Sequence, residues 1–442
     1  MWLAWSTDNR PDAFSHRPLR HEVYAGRAAP VSSVAPVALV APVAPIAADA
    51  VPAHADEPGD LKAVRADRTT VDGKTVRIVR GDFHRHTELS WDGGGAQDGS
   101  LQDFYRYMID AASMDFGAST DHQGGANEYW WWYTQKMTDM HHLPGTYVPI
   151  FGYERSVTQP HGHRNILYAS RAGRVVPFHL RQGTDSFGLG ENSQGDEPGV
   201  GTGDVVENDT KLLYEAIRAM NGIAISHTSG TRMGTDWRDN DPRLEPVVEI
   251  FQGARTNYEF IGAPLWADES KDAAHMKQAG YFPIGAVRNA WAKGYRLGII
   301  TSSDHGSTHY SYALVYTDRY DRQGILDAIR RRHTYGATDN ILLDVRMGDH
   351  FMGSEFKTGA PLPLRVKVRG TRNVARIEVL RGDRMIYSVQ PNQQNVSFEF
   401  TDQDAGRKKE TVYYYVRVQQ TDGQLAWSSP FWVEYLQAAT SK

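Results

Sequence analysis

The 442-residue chain contains no cysteine, which excludes disulfides and thiolate metal sites together. It carries no surplus of positive charge: 48 Lys and Arg stand against 53 Asp and Glu, a formal net charge of −5. Overall charge therefore supplies no pull toward nucleic acid or an anionic membrane, and neither is expected as a partner. Outside a proline-interrupted N-terminal segment, no stretch approaches the roughly 20 consecutive apolar residues that a membrane span needs. What the chain does have is histidine, 17 in all. Many of these recur in short polar strings, each sitting just after a short apolar run: His84-Arg85-His86, Asp121-His122, His161-Gly162-His163, Ser226-His227 and Asp304-His305, with Glu154 at the end of another run. Neutral imidazole and carboxylate are the ligands that zinc, manganese and iron accept where thiolate is absent.

Hydrophobic residues make up 40% of the chain and aromatics 11%, enough apolar surface for real cores. Residues 1–60 differ in composition from the rest and read as a leader or a disordered Ala/Pro/Val-rich segment. Ala28 to Ala55 is nearly all Ala, Val and Pro, follows Arg20 and Arg27, and closes on Ala53-His54-Ala55, the order of an export signal. Export would place the protein in the periplasm or outside the cell. The repeated prolines disfavour the helix that such a signal forms, and a disordered tail would leave the protein cytoplasmic.

From about Thr75, short apolar runs alternate with amphipathic stretches. Strands are expected at Val76 to Ile78, Phe116 to Ser119, Tyr147 to Gly152, Asn165 to Ala169, Gly222 to Ile225, Val247 to Phe251 and Leu297 to Thr301. Helices are expected at Ser100 to Met114, Asp209 to Met220 and Asp321 to Arg332, each opening on a capping residue. Alternation of this kind predicts an α/β fold of parallel βα units, closed or nearly closed into a barrel over 75–338, with chemistry at the C-terminal ends of the strands. Over 339–436 helices cease and alternating segments with turn signals predict a small antiparallel β-sandwich, in which only some of Tyr413, Tyr414 and Tyr415 can be core.

Each polar string has an ordinary reading by itself. Asp-His is a common loop pair, Glu154 could simply pair with Arg155, and a lone His227 could be a core histidine. His84 and His86, two apart on an extended chain, point to one side and can reach one ion. Taken together, five strands would have to end by accident in metal-competent groups.

The run Gly81-Asp82-Phe83-His84-Arg85-His86-Thr87-Glu88-Leu89-Ser90-Trp91-Asp92-Gly93, then Ser119-Thr120-Asp121-His122, Glu154, His163, Ser226-His227 and Ser302-Ser303-Asp304-His305 resembles the ordered motif set of the PHP (polymerase and histidinol phosphatase) superfamily. It looks closest to the carbaryl-hydrolase-like branch. The resemblance covers about Arg77 to Thr338. It implies a distorted (β/α)7 barrel and a cluster of about two or three divalent ions, Zn, Mn or Fe, of the kind that supplies hydroxide near neutral pH. Carried over residue by residue, it implies His84, His86, Glu154 and Asp304 for a first ion, Glu154 shared with His163 and His227 for a second, and Asp92, His122 and His305 for a third. Asp92 stands where the superfamily often has histidine, and Asp304 and His305 adjoin without the usual spacer.

The reaction so implied is hydrolysis of a small substrate, first of all a phosphate ester. The nearer branch offers carbamate, carboxyl ester or amide bonds instead, and a non-catalytic metal or ligand-binding protein is a third class. Glu154 and Asp304 are the expected catalytic ligands. His161, Arg232 and Arg255 are candidates for substrate contact, and Asp82 and Asp121 for orienting the imidazoles. The aromatic run between Asn127 and His142 could line the cleft with one face and suit an aromatic substrate, or simply pack. Leu180 to Asn208 reads as a long loop or lid.

Overall fold

Short apolar runs become strands because they can be buried on both faces, and the polar strings are left where the strands stop. The computed structural model describes residues 2–7, 22–27, 56–93, 98–123, 128–182, 204–267, 279–407 and 409–436. It divides into two compact units, Met1–Asp60 and Leu61–Lys442. In the first, β1 (Trp2–Thr7) pairs antiparallel with β2 (Glu22–Arg27). The leader or tail expected at Ala28 to Ala55 lies outside the described residues, as does most of the loop or lid expected over Leu180 to Asn208, at 183–203.

Helix α1 (Glu57–Ala66) is followed by β3 (Arg68–Val71), β4 (Lys74–Asp82), α2 (Leu101–Arg106), β5 (Phe116–Gly117) and α3 (Glu128–Met140). Next come β6 (Val148–Pro149), β7 (Phe151–Arg155), β8 (Arg164–Tyr168), α4 (Asp209–Ala219), β9 (Ile223–Ser226), β10 (Val247–Gln252) and α5 (Val287–Ala292). Strands β11 (Gly298–Ser302) and β12 (Tyr312–Thr317), helix α6 (Arg322–Arg330) and β13 (Thr334–Ala337) complete the region that contains helices. Strands alone follow among the described residues: β14 (Leu342–Met347), β15 (His350–Phe351), β16 (Glu355–Thr358), β17 (Leu364–Arg381) and β18 (Arg384–Val389). The last are β19 (Gln393–Phe400), β20 (Glu410–Gln420), β21 (Leu425–Ser428) and β22 (Phe431–Tyr435).

Two of the three expected capping signals act; at the third, Asp209 is the first residue of α4, which has no side-chain cap, and its carboxylate accepts from Arg155 instead. Ser100 and Asp103 form a reciprocal capping box on α2, and the Asp321 side chain accepts from Gly324 N at the start of α6. The helix expected through Met114 instead widens after Arg106 into a π-helical turn, Tyr107–Ala111.

The expectation of uniformly parallel βα units is corrected. One sheet has the order β11-β10-β9-β8-β7, in which β9, β10 and β11 are parallel but β8 runs antiparallel to both neighbours. The other includes the parallel set β4, β5 and β6, and takes in β12 antiparallel to β4. No closed barrel of continuous ladders forms among the described residues, because β5 and β6 are two residues each; isolated bridges Arg85↔Asp304 and His122↔Glu154 join the sheets instead. The fold shown is a mixed α/β arrangement with few helices.

The strands of 339–436 are hydrogen-bonded into the same large sheet through β21 against β13, Tyr335 opposite Ser428. Both faces of β20 are covered, so Tyr413, Tyr414 and Tyr415 are all buried: Tyr414 joins the core with Val379 and Tyr435, while Tyr413 and Tyr415 pack on Trp291 of α5. Period two gives β4 the same double duty, Val76 and Ile78 facing one core and Val79 another that contains Phe116, Val148, Ile225 and Ile300. Among the described residues no helix is long and apolar enough to cross a membrane.

Candidate metal centre

Five strand ends deliver the polar strings to one place. His84 and His86 follow β4, His122 follows β5, Glu154 lies in β7, His227 follows β9, and Asp304 and His305 follow β11. His163 precedes its strand rather than following it, and the antiparallel course of β8 brings that start to the same end. All nine residues expected as ligands, Asp92 included, line one small pocket, together with Thr228, Met233, Gln252 and Arg255.

Four groups of ligand atoms lie within 4.8 Å of one another: His84, Glu154 and His227; His84, His86 and Asp304; His86, Asp92 and His122; and His122, Glu154 and His163. Around the first expected ion, His84 Nε2 and His86 Nε2 are 3.3 Å apart. Asp304 Oδ1 lies 3.2 and 3.0 Å from those two nitrogens, and Glu154 Oε2 lies 3.2 Å from each. A tetrahedral ion with ligands at about 2.0–2.1 Å has its ligand atoms roughly 3.3 Å apart, so these separations fit one. Glu154 turns its other oxygen to His163 Nδ1 at 2.6 Å, His122 Nδ1 at 3.3 Å and His227 Nε2 at 3.5 Å. Its carboxylate thus stands between two sets of imidazoles. In the third set, Asp92 Oδ2 lies 2.9 Å from His122 Nε2 and 3.4 Å from His305 Nε2. His305 belongs to none of the four groups, while His86 does double service in two.

Several buried atoms of the pocket have no hydrogen-bond partner among the described residues: His163 Nε2, His227 Nε2 and Asp92 Oδ1. Buried polar atoms are normally paired, and open nitrogen and oxygen lone pairs facing a carboxylate-rich pocket suit a cation. Electrostatics agrees. Burial opposes charge on His84 and His86, yet Glu249 and Asp304 beside the first, and Asp92, Asp304 and Glu154 beside the second, outweigh it and hold both imidazoles well above their ordinary range. Burial opposes charge on Glu154 and Asp304 as well, and the surrounding imidazoles nonetheless hold both well below the usual carboxylate range. His227 runs the other way: burial, with His84 and His163 beside it, holds its imidazole well below the ordinary range.

The groups that orient the imidazoles are not the ones expected. Asp82 accepts from the His84 backbone at 2.9 Å and from the Ser303 hydroxyl, and Asp121 accepts from Thr87 N at 2.7 Å and its hydroxyl at 3.0 Å. Both brace backbone, and burial raises each to about 6. The rings are held by Glu249 on His84 Nδ1 (3.0 Å), Ser90 on His86 (2.8 Å), Thr228 on His227 (2.7 Å) and Asp98 on His305 (2.6 Å). A lone carboxylate inside the apolar run Val247-Val248-Glu249-Ile250-Phe251 was the available signal for Glu249. Trp91 stacks flat on His122, with centroids 3.9 Å apart.

His161 stands outside the pocket lining, its Nδ1 2.9 Å from Thr210 Oγ1, because the tight Gly162 turn sends His161 and His163 to different neighbours. Arg255 lines the pocket, its Nε 3.4 Å from Asp304 Oδ2, whereas Arg232 is not among the lining residues. None of the aromatic residues of α3 lines it either: Trp131 and Met137 pack inward, and Trp132 is 48% exposed.

No family model matches the chain. It is 28% identical over 259 residues to an uncharacterised protein of Chlamydia pneumoniae, and 27% identical over 254 residues to one of Chlamydia trachomatis serovar D. Each match spans 50% of this chain and 40% of the relative's length. Among solved structures, a two-domain protein containing a predicted PHP-like metal-dependent phosphoesterase from Bacteroides vulgatus is similar over 83% of this chain and 97% of its own, with 12% identity and a TM-score of 0.39.

Proposed function

We propose that this chain is a metal-dependent hydrolase of phosphate esters. The observation that carries the proposal is Glu154, a buried carboxylate with imidazoles on both of its oxygens. The ordered motifs shared with the PHP superfamily point the same way, and we read the strands carrying them as that superfamily's distorted barrel over 75–338, with 339–436 as an appended β-sandwich. His84, His86, Asp304 and Glu154 would hold one ion, His163 and His227 with Glu154 a second, and Asp92, His122 and His305 a third. Divalent ions in such a cluster supply Lewis acidity and a nucleophile at neutral pH.

The chain's own residues do the rest. Glu249 keeps the His84 ring turned so that Nε2 faces the pocket, and Asp98 does the same for His305. Arg255 offers its guanidinium to a substrate oxyanion beside Asp304. His161, turned to Thr210, supports the loop that carries His163. Metal analysis of the purified protein followed by turnover of p-nitrophenyl phosphate against aryl esters and aryl carbamates tests the reading. Phosphatase activity that chelation abolishes is the expected result; selective cleavage of carbamates or carboxyl esters would reassign the substrate to that of the carbaryl-hydrolase-like branch.

A further inference from the structure

We infer that Glu259 is a positioning residue, and that the C-terminal strands, through Arg417, set the place of Arg255 in the pocket. The inference rests on the proposed contact between Arg255 and substrate. The loop concerned leaves β10 at Gln252, which lines the pocket and reaches His84 Nδ1 at 3.3 Å. Gly253 N and Ala254 N then donate to Ser302 O and Ser303 O at 2.8 and 3.0 Å, and Arg255 N closes a turn onto Gln252 O at 2.9 Å.

Four residues beyond Arg255, the same loop drives a carboxylate into the sheet. Glu259 is wholly buried and accepts from Arg417 Nη1 on both oxygens, at 2.7 and 2.8 Å, from Trp427 Nε1 at 3.0 Å, and from the Tyr415 hydroxyl. The other edge of Arg417 is taken by Glu378 at 2.6 and 2.8 Å, so its guanidinium is clamped from two sides. Asn257 stiffens the span between, accepting from Glu259 N at 2.8 Å and donating to Pro264 O at 2.7 Å.

A buried carboxylate is a costly anchor unless its partners are in register, and that makes it a selective one. Slippage of the loop by one residue would leave Glu259 charged and without its donors in the interior, and would strip Arg417 of one of its two carboxylates, leaving Glu378 alone to pair it. An apolar plug would tolerate such a shift. Arg255 is therefore held between β11 on one side and β17, β20 and β21 on the other, which gives the C-terminal strands a part in substrate binding although none of their residues lines the pocket.

The test uses the full metal-loaded chain with Glu259→Gln, Arg417→Lys and Arg255→Ala, alone and combined, and inorganic phosphate as the binding probe. Glu259→Gln is expected to weaken phosphate binding and raise KM about ten-fold with metal content unchanged, and to add nothing in the Arg255→Ala background. Arg417→Lys keeps the charge without the two-sided fork and should fall between. Equal losses in both backgrounds, or no loss in either, would overturn the inference. If Arg255→Ala binds phosphate as tightly as the parent, the proposed role of Arg255 fails, and amide exchange then decides the anchor. Faster exchange over 253–259 in Glu259→Gln, with 84–92 unchanged, supports it; unchanged exchange in both overturns it.

Discussion

Glu154 and Glu259 are both buried carboxylates, 1% and 0% exposed, and they are compensated in opposite ways. Glu259 meets a guanidinium, a phenol and an indole N–H, donors that satisfy its oxygens within the protein. Glu154 meets imidazoles, which can be neutral, and two of these keep an Nε2 with no hydrogen-bond partner among the described residues. One cluster is complete as the chain folds; the other groups ligand atoms that could hold a cation. A buried charge that the chain satisfies by itself marks architecture, and one that it leaves open marks a site.

Removing the pivot of the open cluster should have the largest effect. Glu154→Ala is expected to lose bound divalent metal and to bring hydrolysis down to background, read by elemental analysis and turnover together. Arg417→Met attacks the closed cluster and leaves buried Glu259 without its cation and Glu378 with only the more exposed Arg376 at 3.3 Å. It should lower stability by about 3–5 kcal/mol in denaturant unfolding while leaving metal stoichiometry unchanged.

The difference between these clusters was only half legible in the sequence. His84, His86, His122, His163, His227, Asp304 and His305 could be read because each lies within a few residues of an apolar run, so a local pattern placed it at a strand end. Which rings Glu249 and Asp98 hold could not. One is a single acid inside a strand and the other lies in a loop, and their imidazole partners are 165 and 207 residues away. Strand partners were hidden for the same reason: period two reports which face is apolar but not which neighbour covers it. The antiparallel course of β8, the entry of β12 and β13 into the large sheet and the burial of all three tyrosines at 413–415 are therefore structural findings.

Smaller effects sharpen the comparison. Glu249→Gln removes the carboxylate behind His84 and should weaken metal affinity by about 10–100-fold without unfolding the chain, measured by competition with a chelating dye. The pH dependence should separate the clusters too. The carboxylates hold His84 and His86 protonated to higher pH than usual, so a cation must displace those protons to bind. Metal affinity should therefore rise as pH rises and fall as it drops, with proton release on titration in weakly buffered solution. Stability measured through the Arg417 cluster should not follow that curve.

Whether the imidazoles around Glu154 hold metal is decided by the divalent-metal content of the purified full chain, measured by elemental analysis alongside Glu154→Ala. More than one tightly held ion per chain is expected in the parent, and loss of that metal in the variant. A parent that holds no divalent ion, and gains no thermal stability when Zn, Mn or Fe is added, would contradict that expectation.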